Sequence, residues 1–411
     1  MRNPILYLAS AGASMFGNAV VSVVWPWLVL AVTGDPKAAG IVATFTTVPS
    51  VLFAFVGGQL IDSFGRKPMS IIFDFFSAAS VVALIMVDQY GDLTVAWFIV
   101  LGILGAIGDI PGMAARNALV NDVAQSQNVF SLERISGLLG AITGISFLIG
   151  PAVGGILLGY FPTHVVLWFT AGSSFLAAVL TIFVRLPASE YAAEKIELRG
   201  WLEVLKEPEI RLLAVVSAVG QIVVPALLII LLPAHYEAIN TPRSYGLVFS
   251  MYSVGMIAAS GVISIIGLKN RRRLWVLIML GDSIGLLLFS YFQSNVAIFG
   301  GAFIAGIAGG LMAPLQTVWI SELVPDKVRG RAFSVFMMIG EFAAPIGFAF
   351  VTIALGFMNI YSIALAIGFI FAAITLVALI VGLRVIHNDS NTKDVDRKIT
   401  SFATETSSLG D

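Results

Sequence analysis

The chain has no cysteine among its 411 residues. Disulfides and thiol chemistry are thereby excluded, and the compartment is left open. Charge is scarce too. Asp, Glu, Lys and Arg make up 11% of the sequence, against about 25% in a soluble globular domain. There are three histidines, His164, His235 and His387, far apart in sequence, and no clustered metal ligands. No Gly-Lys-Ser/Thr phosphate loop is present, so ATP drive is not indicated. No Ser-His-Asp arrangement is recognisable. The expectation is a protein that is not an enzyme, holds no cofactor or metal and binds no nucleic acid.

What the chain has instead is apolar length. It is 58% hydrophobic, with a mean hydropathy of +0.96, which predicts an integral membrane protein. Crossing the hydrocarbon takes about 20 apolar residues per helix. Twelve runs qualify: 5–31, 38–61, 69–88, 94–117, 131–158, 164–186, 211–234, 244–268, 274–293, 296–320, 331–355 and 361–383. Their length and continuity predict helices, because barrel strands would alternate over about ten residues. The fold class is therefore all-α, with twelve transmembrane helices.

The bases set the orientation. With the N-terminus inside, only Lys37 and Arg243 of the 23 Lys and Arg fall in outer loops. A shift of one span would reverse that bias. The reading is a multi-pass protein of the cell (inner) membrane with both termini cytoplasmic, surrounded by lipid and monomeric.

Ser189 to Glu207 is the longest polar interruption and separates six spans from six. The predicted organisation is a first bundle over 1–187, a linker over 188–208, a second bundle over 209–386 and a disordered polar tail over 387–411. Within the linker Leu198, Trp201, Leu202 and Leu205 fall on one helical face, which suggests a short amphipathic helix at the inner interface. A loop with scattered leucines is the alternative. The bundles read as a degenerate repeat. Pro111 to Asp122 answers Pro314 to Asp326, and Asp74 and Asp282 each fall early in the third span of a half.

The densest polar block lies between the second and third spans: Gly58, Leu60, Asp62, Gly65, Arg66 and Lys67. An acid and two bases this close belong at a membrane surface, and the glycines allow a tight turn. This pattern resembles the loop motif between helices 2 and 3 of the major facilitator superfamily, with Ser63 where that family often has a base. The resemblance covers about residues 5–385. It implies two pseudo-symmetric six-helix bundles with a substrate site between them near mid-membrane. It also implies a conformational latch of Gly58, Asp62, Gly65, Arg66 and Asp122. Asp62 would face the start of helix 11, whose N–H groups carry partial positive charge, and Arg66 would reach Asp122. The alternative is a solvated loop that only sets topology. The turn 261–273 keeps glycines and bases but lacks an acid matching Asp62, so its bases are expected to serve topology.

Ser146, Gly150, Pro151, Gly154 and Gly155 in the fifth span resemble the helix 5 motif of the superfamily's antiporters, with serine where glycine is usual. Close packing without directional meaning is the alternative. Isolated acids inside spans are functional candidates. Asp109 and Glu341, one per half, lie about 14 Å deep at 1.5 Å per residue. A carboxyl in low dielectric holds a proton more readily than in water, so both are proton-coupling candidates. A neutral acid bonded to a neighbouring helix is the bland reading. Arg116 sits nearer an inner end, where a structural pairing is expected. Asn18, Trp25, Gln221, Tyr252 and Gln316 are the cavity candidates, with Trp27, Phe45, Met256 and Trp319 as further wall.

The chain most resembles the drug and macrolide efflux branch. The expected function is proton-coupled export of hydrophobic small molecules by alternating access. A metabolite uptake symporter and a lipid translocator remain as alternatives.

Overall fold

The protein is described from a computed structural model, which covers residues 2–126, 130–186, 207–266, 271–324 and 326–386. The predicted linker helix and the tail lie outside the described residues. Among them the chain forms twelve long helices and no strand. In order these are α1 (Arg2–Thr33), α2 (Pro36–Phe64), α3 (Arg66–Tyr90), α4 (Val95–Ser126), α5 (Leu132–Tyr160) and α6 (Thr163–Ile182). Then come α7 (Pro208–Ala238), α8 (Pro242–Ile266), α9 (Arg271–Phe289), α10 (Asn295–Leu323), α11 (Asp326–Ala354) and α12 (Ile360–Val385). Nine are long and apolar enough to cross a membrane by described residues alone, and α11 contributes a shorter apolar stretch, Met338–Ala354.

The joints follow local rules. Asp35, Ser131, Ser294 and Asn359 accept from backbone N–H groups at the starts of α2, α5, α10 and α12, as N-caps do. Gly65 separates α2 from α3 at φ 90°, a backbone state that side chains with a Cβ resist. Pro225 interrupts α7 and is followed by a π-helical turn, Leu227–Leu231.

The repeat is explicit in the packing. In the first half α1 packs on α5 and α6, α3 on α4 and α6, and α2 on α4. In the second, α7 packs on α11 and α12, α9 on α10 and α12, and α8 on α10. Adding six to each label of the first half reproduces the second. The halves meet along two seams related in the same way, α5 with α8 and α2 with α11.

The two ends of the bundle differ. Asn3 donates to the Arg185 carbonyl at 2.6 Å, and Arg66 bonds to Asp122 at 3.0 Å, so the starts of α1 and α3 share the terminal side with the ends of α4 and α6. On the far side one core spans both halves: Trp27 and Ala43 cluster with Leu231, Val248, Phe289 and Phe348. A second far-side cluster adds Ala234 of α7 to Leu28 and Val42. On the terminal side, among the described residues, each cluster stays within one half. The cores shared by both halves, as far as the described residues show, lie at the far side.

Candidate functional site

Three adjoining cavities run across the middle of the molecule. The first, about 200 Å³, lies within the first half and is walled by α1, α2, α3, α4 and α6. Asn18, Trp25 and Asp109 line it, with the hydroxyls of Thr46, Thr47, Ser77, Ser80, Thr170 and Ser174. The second, about 350 Å³, lies between the halves. It shares Val21, Trp25, Thr46 and Thr47 with the first and apart from Ser22 is otherwise apolar, with Val29, Val42, Pro225, Ile229, Ala344 and Phe348. The third, about 270 Å³, lies in the second half and contains Gln221, Tyr252, Asp282 and Gln316. Val224 and Gly340 of the third sit beside Pro225 and one turn from Ala344 of the second.

The structure thus brings the five cavity candidates to cavity walls, three residues in the second half and two in the first. Asp109 stands with the carboxyl flanked by Ser77 and Asn18. Glu341 is different. Its side chain is exposed and lines none of the three cavities, although it shares a helical stripe with Ala344 and Phe348 at i+3 and i+7. The other wall candidates go elsewhere. Trp27 is buried in the far-side core, Trp319 stacks on Trp275 at 5.7 Å, and Phe45 and Met256 are exposed and line none of the three cavities.

Asp282 is the site residue the sequence reading missed. Its pairing with Asp74 as repeat partners does not match the packing. Pro111 and Pro314 align α4 with α10, which puts Gly105 on Ala308. Gly105 faces Ser80 and Ala308 faces Gly281, so Ser80 of α3 answers Gly281 of α9. In that register Asp74 answers Trp275, Arg116 answers Trp319, and Asp282 answers Val81, which lines the first cavity. Asp109 answers Met312, which lines the third. The cavities are equivalents whose acids come from different helices. The signal available in sequence was that Asp282 is the lone acid of α9, well past the bases at its start.

Asp74 is withdrawn from the cavity by a buried ion pair with Arg116 at 2.5 Å. Ser14 donates to Asp74 at 3.2 Å, Arg116 also donates to Ser10 at 2.6 Å, and Tyr7 donates to the Arg116 carbonyl at 2.9 Å. The structural pairing expected of Arg116 is present. At the surface Arg66 bonds to Asp122 and to the Ala118 carbonyl at 3.3 Å. The side chains of Asp62 and of the start of α11 lie outside the described residues, as does the packing around Gly58. Arg271 also has a partner, Glu322 of α10. Among the described residues, the acid opposite Arg271 comes from the next helix, as Asp122 does for Arg66.

The α5 motif forms the tighter seam. Ser146, Gly150, Pro151, Gly154 and Gly155 are all buried. Gly150 and Gly154 receive α1 at Ala19 and Val20, while Gly155 meets the α8 backbone at Gly246. Pro151 has no N–H, so the Phe147 carbonyl loses its helical donor. Ser253 of α8 donates to that carbonyl at 3.2 Å, and Ser250 donates to Leu148 at 2.6 Å. At the far end of this seam the Arg243 guanidinium lies 3.9 Å from the centre of the Tyr160 ring, a cation–π contact between halves.

Comparison with known proteins agrees with this architecture. The family model described as Major Facilitator Superfamily matches residues 7–239 and 221–409. The Multidrug efflux pump Tap of Mycolicibacterium fortuitum is 27% identical over 361 residues, covering 84% of this chain and 88% of the relative. The Multi-drug resistance efflux pump PmrA of Streptococcus pneumoniae is 25% identical over 394 residues, covering 86% and 92%. Among solved structures, the nucleoside transporter NupG superposes with a TM-score of 0.71 at 13% identity, over 94% of this chain and 99% of that one. A bacterial homologue of the iron transporter ferroportin, described as inward-facing, gives 0.69 at 18% identity, over 93% and 98%.

Proposed function

The chain belongs to the Major Facilitator Superfamily of membrane transporters, and on that premise we propose that it is a proton-coupled exporter of hydrophobic small molecules. The observation that carries this reading is the adjacency of two unlike cavities. One is hydroxyl-lined around Asp109, and the other is apolar and shared by both halves. An apolar substrate gains by leaving water for the second, at about 25 cal/mol per Å² of apolar surface buried. A proton on Asp109 removes a charge from the edge of that same space, because Trp25, Thr46 and Thr47 belong to both walls. Substrate and proton then act on one shared wall, which is how their binding becomes coupled.

The basic terminal side faces the cytoplasm in this reading, and the cores shared by both halves lie on the opposite, outer side. Substrate enters from the cytoplasm or the inner leaflet. The far-side core must separate for release, and the halves must close at the terminal side, where Arg66, Asp122 and the Asp62 turn lie. The kinship with pumps named for multidrug efflux supports the direction.

The test is transport in proteoliposomes under an imposed pH gradient, with a lipophilic fluorescent compound as substrate. Gradient-driven accumulation that disappears when a protonophore is added is the expected result. Equal transport with and without the gradient would sink proton coupling. Accumulation only in the opposite direction would replace export by uptake.

A further inference from the structure

The cavity of the second half has no assigned role, and its chemistry differs from that of its counterpart. Asp282 is its acid. Around it stand Tyr252, Phe371 and Met312, with Gln221 and Gln316 as the amides and Ser217 as the one small hydroxyl. No Lys, Arg or His is among the described residues that line it, and no described ion pair engages Asp282. The equivalent space of the first half is lined by small hydroxyls and one aromatic ring, Trp25.

These linings suit different positive charges. Hydroxyls give a carboxyl small, reorientable donors and acceptors, which serve a proton. Aromatic faces and a thioether give no such chain. They attract a cation whose charge is spread over carbon, since the ring quadrupole is negative on its face and a thioether is soft and polarisable. An organic cation sheds water far more readily than a small inorganic ion. It can meet one carboxylate without the ring of oxygen ligands that Ca²⁺ or Mg²⁺ requires, and among the described residues no cluster of three or more potential metal ligands exists. The amide carbonyls of Gln221 and Gln316 add acceptors for any N–H the cation carries.

We propose that this cavity is a second substrate subsite, in which Asp282 receives the cationic group of a lipophilic organic cation against Tyr252 and Phe371. The apolar body of the substrate extends past Val224 and Gly340 into the cavity between the halves. Two sites then divide the work: Asp109 takes the proton in the first half, and Asp282 takes the charge of the substrate in the second. The inference rests on the exporter reading only for the word substrate; the binding event needs no gradient.

The experiment measures equilibrium binding of ethidium, a permanent planar cation, to the purified full-length protein in lipid nanodiscs, with no pH gradient. Uncharged 6-phenylphenanthridine serves as the neutral comparator. Asp282→Asn is expected to weaken ethidium binding by at least about tenfold, equivalent to about 1.4 kcal/mol, while Asp282→Glu retains most of it. Phenylphenanthridine binding should change by less than about threefold in either variant. Gel filtration and thermal melting show whether each variant is folded, and the glutamate variant keeps the test open should the asparagine one fail. The proposal is overturned if wild type does not bind ethidium, if Asp282→Asn binds it normally, or if the neutral ligand is lost in parallel. Failure of gradient-driven transport with ethidium binding intact would count against the exporter reading and leave this site standing.

Discussion

At one pair of equivalent positions the two halves hold different chemistry. Where the first half has Asp74 and Arg116, an ion pair with side chains 6% and 2% exposed, the second has Trp275 and Trp319, stacked at 5.7 Å and 21°. Both join the third and fourth helices of a six-helix unit. Both fill a large volume near the terminal side. The fold asks that position for bulk and contact and leaves the means open. The Trp pair packs without charge to compensate. The ion pair depends on Ser14, Ser10 and on each partner for the other, because charge left alone in low dielectric is costly.

That contrast is most sharply broken by removing one charge. Arg116→Met leaves Asp74 buried beside Ser14 without its cation. A loss of about 3–5 kcal/mol is expected, enough that little monodisperse protein should be recovered after solubilisation. The double variant Asp74→Leu with Arg116→Met should regain most of the yield and melting temperature, since an apolar pair of similar volume often matches a buried ion pair. If the double variant is as poor as the single, the ion pair does something a Trp-like filling cannot.

The second comparison is between two in-span acids, Asp109 and Glu341, that enter no ion pair among the described residues. Asp109→Asn is expected to abolish pH-gradient-driven transport while keeping the protein folded, because an amide fills the same space but releases no proton. Glu341→Gln should stay within about threefold of wild type, since its exposed side chain lines none of the three cavities. Vesicle transport under an imposed gradient decides it. Normal transport by Asp109→Asn, or its loss in Glu341→Gln, would reverse the assignment.

The seams offer a third contrast of smaller size. A Cβ on Gly246 meets the Pro151 carbonyl and the Gly155 backbone, while one on Gly40 meets mainly the Thr352 side chain. Gly246→Ala should therefore lower transport several-fold, with no side-chain change able to relieve it. Gly40→Ala should lower it less and be partly rescued by Thr352→Ala, which removes the nearest atom. Equal rescue at both seams would mean that α5 and α8 slide as freely as α2 and α11.

The smallest effect is expected at the serines of α8. Ser253→Ala removes the donor to the carbonyl left open by Pro151, and should cost about 0.5–1.5 kcal/mol in thermal unfolding. The same change at Ser173, whose hydroxyl bonds within its own helix at 2.9 Å, should cost less. If the two are equal, the Pro151 carbonyl has found another donor.

Much was legible before any coordinates. Twelve apolar runs, the asymmetry of the bases and the Gly65-Arg66 turn all follow from the cost of placing charge and open backbone in hydrocarbon. That cost acts residue by residue along the chain, so a sequence carries it openly. The same rule marked Asn18, Asp109, Gln221 and Gln316, because a polar group deep in a span needs a cavity or a partner.

What the rule cannot say is which of the two it finds. Asp74 and Asp282 look alike in sequence, each an acid early in the third span of a half. Yet Asp74 is locked to Arg116 while Asp282 faces open space. Glu341 and Asp109 look equally deep, yet only Asp109 lines one of the three cavities. These outcomes depend on the register between neighbouring helices and on each helix's rotation about its axis. Gly105 against Ser80 and Gly281 against Ala308 mark that register, and Gly108 on the Phe73 carbonyl and Gly285 on the Ala305 backbone hold it through close backbone approach. A shift of one residue turns a helix by about 100°, which carries an acid from cavity to core. Only the tertiary structure decides that, because it is a property of two helices together.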